Sequence, residues 1–351
     1  MSLIVTCLGK GGVGKTATAI ALAQAYAQQG QKVLLIGQQP DFSLILGTDV
    51  SRGITPIQDW LWAVQLQATT LLETYWEKMK NLEGQVLKGS FFREVYGQEL
   101  GILPGMDQAL ALSYVRERDA ENTYDVLVFD GAGDLSVLRM LGMPEILGWY
   151  LRRFQQVLTA SALGQAIAPF VEPVLRSVLQ VNSSDDIAQQ AGAMTNVLVR
   201  GQEAVNDPQR VIGYLVTTAS TAAIHTARYL WGSAQQIGLT IGGVFFRGDG
   251  LDQTISSQFS PLPVYHIDAI SIESLQTVAV PRPVSFDLAK QQVKLFFPAF
   301  DKKHIKLQQL GPEITIEAGD QRRNLYLPPE LAGKQASGAK FQDSYLIISF
   351  A

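Results

Sequence analysis

Cysteine is nearly absent from this chain: Cys7 is the single one in 351 residues. That excludes an internal disulfide framework and any cluster of thiolates around a soft metal or metalloid. Histidine is scarce too. His225, His266 and His304 lie far from one another and from Cys7, so the sequence predicts no structural zinc. Charged residues make up 17%, against about 25% in an average soluble protein. The net charge is −4 and no stretch is rich in Lys or Arg, which argues against a nucleic-acid-binding face, because such a face needs basic groups to displace counterions. Long hydrophobic runs are missing as well. One of the longest uncharged stretches, "FQQVLTASALGQAIAPFV", is broken by polar residues and a proline and falls short of a membrane-spanning helix. The start of the chain lacks the basic segment and cleavage site of a signal peptide. The expectation is a cytoplasmic protein with at most peripheral membrane association.

What is present is strongly patterned. "LIVTCL", a glycine loop, the Ala-rich "KTATAIALAQAYAQQG" and "KVLLIG" read as strand, loop, helix, strand. Two parallel strands joined by one helix imply a right-handed crossover in a doubly wound, mostly parallel α/β sheet. Further buried strands are expected at "LGILPG", "YDVLVFDG", "RVIGYLVTT" and "IGGVFFRG". Two segments, about 55–98 and 144–207, read as helical insertions with bulky apolar faces, serving either as core or as a groove. From Val284 the pattern changes to period-two alternation punctuated by Pro, Gly and Asp, with Leu346, Ile348 and Phe350 on one face. Residues 284–351 are therefore expected to form a small antiparallel β-sandwich module behind an α/β domain at 1–283.

The chemistry resides in "GKGGVGKT", Gly9 to Thr16, which fits Gly-x4-Gly-Lys-Thr between a strand and a helix. Its glycines let backbone N–H groups curl around phosphate oxygens, and the helix that follows aims its positive end at them. The expected phosphate ligands are Gly11, Gly12, Val13, Gly14, Lys15, Thr16 and Ala17. Lys15 would reach the β- and γ-phosphates, and the Thr16 hydroxyl would ligate Mg²⁺. Asp130 ends the strand "DVLVFD", where an aspartate supports the same ion.

Lys10 marks the deviant form of this P-loop. The chain resembles the arsenical-pump and tail-anchored-protein targeting ATPases, through "KGGVGKT", "QQPDFSLILG", "LPGMDQALAL", "FDGAGDLSVLRMLGMPEIL" and "TARYL…GLTIGGVFFR". The tail, with "LFFPAFDKKHIKL" and "LPPELAGKQASGAKFQDSYLIISF", looks like the α-crystallin module of small heat-shock proteins, which some bacterial members of this ATPase family carry. The resemblance implies ATP/ADP and Mg²⁺ as ligands, and a homodimer in which Lys10 acts across the interface. It also implies a nucleotide-controlled apolar surface for a client such as an apolar protein segment.

The chain departs from that family at several points. The family's water-activating Asp is here Gln39, which positions water but does not usefully accept a proton; Asp41, two residues on, is the alternative carboxylate. The Pro-Thr-Gly-His of the second switch is replaced by "GDLS", Gly133 to Ser136. The Asn that reads adenine aligns with Phe246, followed by Arg247, the two residues expected near the base. One cysteine cannot capture arsenite. The resulting expectation is a weak Mg²⁺-dependent ATPase that yields ADP and phosphate. The alternative is a nucleotide-gated binding scaffold, or a chaperone-like module, without significant turnover.

Overall fold

The central sheet is built around β1 (Leu3–Leu8), whose last four residues are buried. In the computed structural model, which describes residues 1–86, 95–160, 187–267, 270–277 and 279–351, β1 pairs in parallel with β5 (Val126–Asp130) on one side and β6 (Val211–Thr217) on the other. β2 (Val33–Gly37), buried throughout, continues the sheet beyond β5, and β7 (Thr240–Phe246) and β8 (Val264–His266) continue it beyond β6. Between β1 and β2 runs α1 (Lys15–Gln28), which buries Thr18, Ala19, Leu22, Ala23, Tyr26 and Ala27. That spacing lays one helix stripe on the sheet. Gly30, at φ 77°, turns the chain out of α1 towards β2.

Two expectations along this frame are corrected. The segment from residue 55 does not open as a helical insertion. It gives β3 (Thr55–Gln58) and β4 (Leu61–Gln65) before α3 (Ala68–Val86). Leu61, Ala63 and Val64 are buried, and β4 lies parallel to β2 while β3 closes the edge antiparallel to β4. The full order is β3-β4-β2-β5-β1-β6-β7-β8. Conversely, "LGILPG" is no strand: Leu100 and Ile102 pack with Leu72 and Tyr75 of α3 and with Leu110, and Gly105, at φ 85°, caps α4 (Met106–Ala120). Pro104 brings no N–H to a ladder.

The second insertion starts earlier than residue 144. α5 (Leu135–Ala160) is continuous through Pro144 and runs directly from the loop after Asp130. α6 (Ile187–Asn206) packs back on it. The remainder of the expected insertion, like residues 87–94 of the first, lies outside the described residues. Met140 and Leu141 of α5, and Leu72 and Tyr75 of α3, are buried in the core, whereas Ile146 and Tyr150 are exposed.

α7 (Thr221–Gln236) joins β6 to β7, and the short α8 (Gln253–Ser257) and α9 (Ile272–Thr277) flank β8. The chain then enters two antiparallel sheets. One is ordered β14 (Ala336–Gln342), β15 (Tyr345–Phe350), β10 (Gln292–Phe296), β9 (Val284–Asp287). The other is β11 (Ile305–Leu310), β12 (Glu313–Ala318), β13 (Gln321–Tyr326). Val293, Leu295, Ile314, Ile316, Leu346, Ile348 and Phe350 share one core between them. The alternation of buried residues along β12 and β15 makes this a sandwich. α10 (Pro329–Ala332) links β13 to β14. This sandwich rests on α7, where Trp231 meets Phe296 edge-on at 5.6 Å between ring centroids.

Candidate nucleotide site

The site forms where β1, β2 and β5 end on the same side of the sheet, the position at which an open parallel sheet binds ligands. β1 feeds the loop Gly9–Gly14. Gly14 caps α1 at φ 96°, a left-handed conformation that side chains resist. A Cβ there would also stand 2.4 Å from Nη1 of Arg247, so Arg247, just past the end of β7, lies against the loop. Gly11 and Gly12 are exposed and Val13 is buried at 4%. The loop backbone is thus open on one side and anchored on the other. Thr16 and Ala17 lie in the first turn of α1, behind the free N–H groups of the helix.

Lys15 is half-buried. Its Nζ donates to the Lys10 carbonyl at 3.3 Å, and burial pushes its pKa down, partly opposed by the charges of Asp130 and Asp134. Gly133, at φ 64°, lies directly beneath its stem: a Cβ there would be 2.3 Å from the Lys15 Cδ. The Gly9 N–H donates to the Gly133 carbonyl at 2.8 Å, tying the loop after β5 to the phosphate loop. Lys10 is exposed.

Asp130 is 1% exposed. The Thr16 hydroxyl donates to its carboxylate, while Oδ2 has no hydrogen-bond partner. Burial is the main reason its pKa rises to about 6; Asp41 adds to the rise, and Thr16 and Lys15 oppose it. An orphaned, desolvated carboxylate oxygen beside a threonine hydroxyl fits Mg²⁺, a hard cation that takes one or two protein oxygens and completes its shell with water and phosphate. Thr16 and Asp130 would hold it, and the ion would neutralise charge on the β- and γ-phosphates.

Gly37 is in register with Asp130, and the Gln38 N–H donates to the Asp130 carbonyl at 3.0 Å, so the chain leaves β2 for Gln39 from a point paired with the end of β5. The Gln39 backbone carbonyl accepts from Gln65 Nε2 at 3.0 Å and from the Phe42 N–H at 3.1 Å. Asp41 is exposed and precedes α2 (Phe42–Leu46). Phe246 is fully buried, its ring 5.8 Å from His266 in an edge-to-face arrangement, so it offers no open face to a base. Arg247, by contrast, is exposed. Asp134 has no assigned role in the sequence motifs. It is close enough to Lys15 to act on its charge, and its Oδ1 accepts from the Ser136 N–H at 2.8 Å and the Ser136 hydroxyl at 2.7 Å. Its place in the loop that follows Asp130 is the available signal.

No helix among the described residues is long and apolar enough to cross a membrane. Residues 2–246 match the family described as anion-transporting ATPase, and residues 289–350 match the HSP20-like domain found in the arsenical pump ATPases. Among curated proteins, the chain is 24% identical to a putative arsenical pump-driving ATPase of Prosthecochloris vibrioformis, over 99% of this chain and 95% of that one. A protein with the same description from Chlorobaculum tepidum matches at the same identity and coverage. The ATPase GET3 of Malassezia globosa is 24% identical over 67% of this chain and 69% of its own. The first of these models covers well over half of the chain, so the chain belongs to the anion-transporting ATPase family and carries its HSP20-like domain.

Proposed function

We propose that this protein binds MgATP and hydrolyses it slowly, and that nucleotide occupancy controls a homodimer and an apolar client-binding surface. Residues 1–283 would act as the ATPase unit and 284–351 as a second binding unit. The observation that carries the nucleotide reading is the orphaned Asp130 Oδ2, buried beside the Thr16 hydroxyl and Lys15. In this reading the amides of Gly11 to Ala17 and the Lys15 ammonium hold the phosphates. Thr16 and Asp130 hold Mg²⁺, which offsets charge developing on the transferred phosphoryl group. The Gln39 amide orients the attacking water. Asp41, exposed two residues on, is the carboxylate on that loop that would accept its proton. Losing a dedicated general base typically slows such a step by about 10²–10⁴, hence slow turnover. Arg247, lying on Gly14, would border the base or the phosphates, and the exposed Lys10 would reach a neighbouring subunit's nucleotide. Leu44 and Ile45 of α2, 82% and 48% exposed soon after Gln39, support an apolar contact surface that responds to the site.

The test is multiple-turnover release of phosphate from ATP with Mg²⁺, compared with Lys15→Ala. Activity above that blank is expected. Tight binding without turnover would instead favour the second reading, a nucleotide-gated scaffold, to which the amide at Gln39 and the closed Phe246 point.

A further inference from the structure

The HSP20-like sandwich is fastened to the helix that leads out of the nucleotide site. α5 begins five residues after Asp130, directly behind the Gly133–Asp134 loop that touches Lys15 and Gly9. Three of its side chains reach the sandwich. Arg139 meets Asp320 at 2.5 Å, Glu145 faces Arg323 at 3.8 Å, and Arg152 faces Glu313 at 3.8 Å. α7 supplies the other half of the seat. Gln236 Nε2 donates to the Ala318 carbonyl at 2.6 Å, the Asp320 N–H donates to the Tyr229 hydroxyl at 3.0 Å, and Arg323 Nη1 donates to the Gln235 carbonyl at 3.2 Å. Gly232 allows the close approach, since a Cβ there would stand 2.5 Å from the Pro298 carbonyl.

The seam combines apolar packing, with Trp231 and Phe296 part of the main core, and buried polar groups. Arg323 is 3% exposed, and its Nε, Glu145 Oε2, Gln236 Oε1, Gln321 Nε2 and Trp231 Nε1 are all buried without hydrogen-bond partners. The Glu145 carboxylate is held by the Gln202 side chain and the Asn324 backbone as well as by Arg323. Buried polar atoms are nearly always paired in native proteins, so the remaining unpaired atoms are places where a different arrangement of the seam would gain hydrogen bonds. A packed helix moves as a unit, so displacement at its first turn is carried to its side chains further along.

We propose that the sandwich is a latch on the second-switch helix. Receiving a γ-phosphate beside Lys15 draws the Gly133–Asp134 loop out of its present contacts, α5 moves with it, and the Glu145–Arg323 seam loosens. ATP binding and seating of the sandwich are then linked equilibria, and each weakens the other by the same factor. The linkage rests on the nucleotide reading above and adds to it a physical route from the phosphate loop to the HSP20-like domain.

The test uses the full chain. Amide hydrogen exchange is followed without nucleotide, with MgADP and with saturating MgATP, beside an equilibrium measurement of ATP binding on the same sample. Faster exchange at 313–326 and 221–236 with MgATP, exceeding that with MgADP, is expected. The double variant Glu145→Leu/Arg323→Met removes the ion pair without leaving a lone buried charge. It is expected to bind ATP about 5-fold more tightly or better, the lower end of typical coupling between sites, with its fold checked by circular dichroism. ATP that binds but leaves exchange at the seam unchanged would overturn the latch alone, and needs no variant. Failure of ATP to bind would overturn the nucleotide reading and the latch with it.

Discussion

Replacing Asp130 with asparagine isolates the electrostatic strain built into the site. The folded protein holds this carboxyl at a pKa of about 6, against an ordinary 3.8, mainly because burial disfavours the charged form. Below pH 3.8 the group is protonated in both folded and unfolded chains and has no effect on stability. Between pH 3.8 and about 6 the unfolded chain ionises while the desolvated folded carboxyl keeps its proton, so stability is lost across that window and levels off once the pH has passed the folded pKa. Roughly two pKa units at 1.36 kcal/mol each give about 3 kcal/mol lost by neutral pH. A carboxamide does not titrate, so Asp130→Asn lacks this loss whatever constant offset its amide introduces. Urea unfolding of both proteins from pH 4 to 7.5, without nucleotide or Mg²⁺, should show the variant gaining on the wild type by about 2–3 kcal/mol across that range. A difference that stays flat with pH would refute the assignment of Asp130 as a desolvated, unpaired carboxylate. In the same variant Mg²⁺ should no longer strengthen ATP binding, and in the wild type that strengthening should fade below about pH 6.

Gln39→Asp should speed ATP hydrolysis by about 10²-fold, by restoring a proton acceptor, with little change in the dissociation constant; single-turnover kinetics separates the two. Gly133→Ala combines a φ of 64° with a Cβ placed 2.3 Å from the Lys15 Cδ, so ATP affinity measured by titration should fall while the far-ultraviolet circular dichroism stays native. Trp231→Ala empties the contact with Phe296 between α7 and the sandwich and should lower stability by about 3–5 kcal/mol in chemical denaturation.

The candidate nucleotide site is legible in the sequence because its residues are local. Gly9 to Thr16 form one loop between one strand and one helix, and Asp130 announces itself at the end of a wholly apolar strand. The sandwich is legible for a similar reason, since Leu346, Ile348 and Phe350 alternate with half-buried neighbours. β4 escapes the pattern because its burial on both faces erases alternation, leaving "LWAVQ" as helical in appearance as it is extended in fact; only pairing with β2 decides it. "LGILPG" fails in the other direction, since an apolar run packs as well on a helix as in a sheet. The burial of Phe246 and the seat of the sandwich on α5 depend on tertiary contacts between residues far apart in the chain, which no local pattern records.

The most direct measurement is ATP binding and single-turnover hydrolysis with Mg²⁺ on one preparation, with Lys15→Ala beside it. Binding that Lys15→Ala abolishes, followed by slow release of phosphate, is the expected result. Equal behaviour of the two proteins, whether both bind or neither does, would contradict a nucleotide site built on Lys15, Thr16 and Asp130.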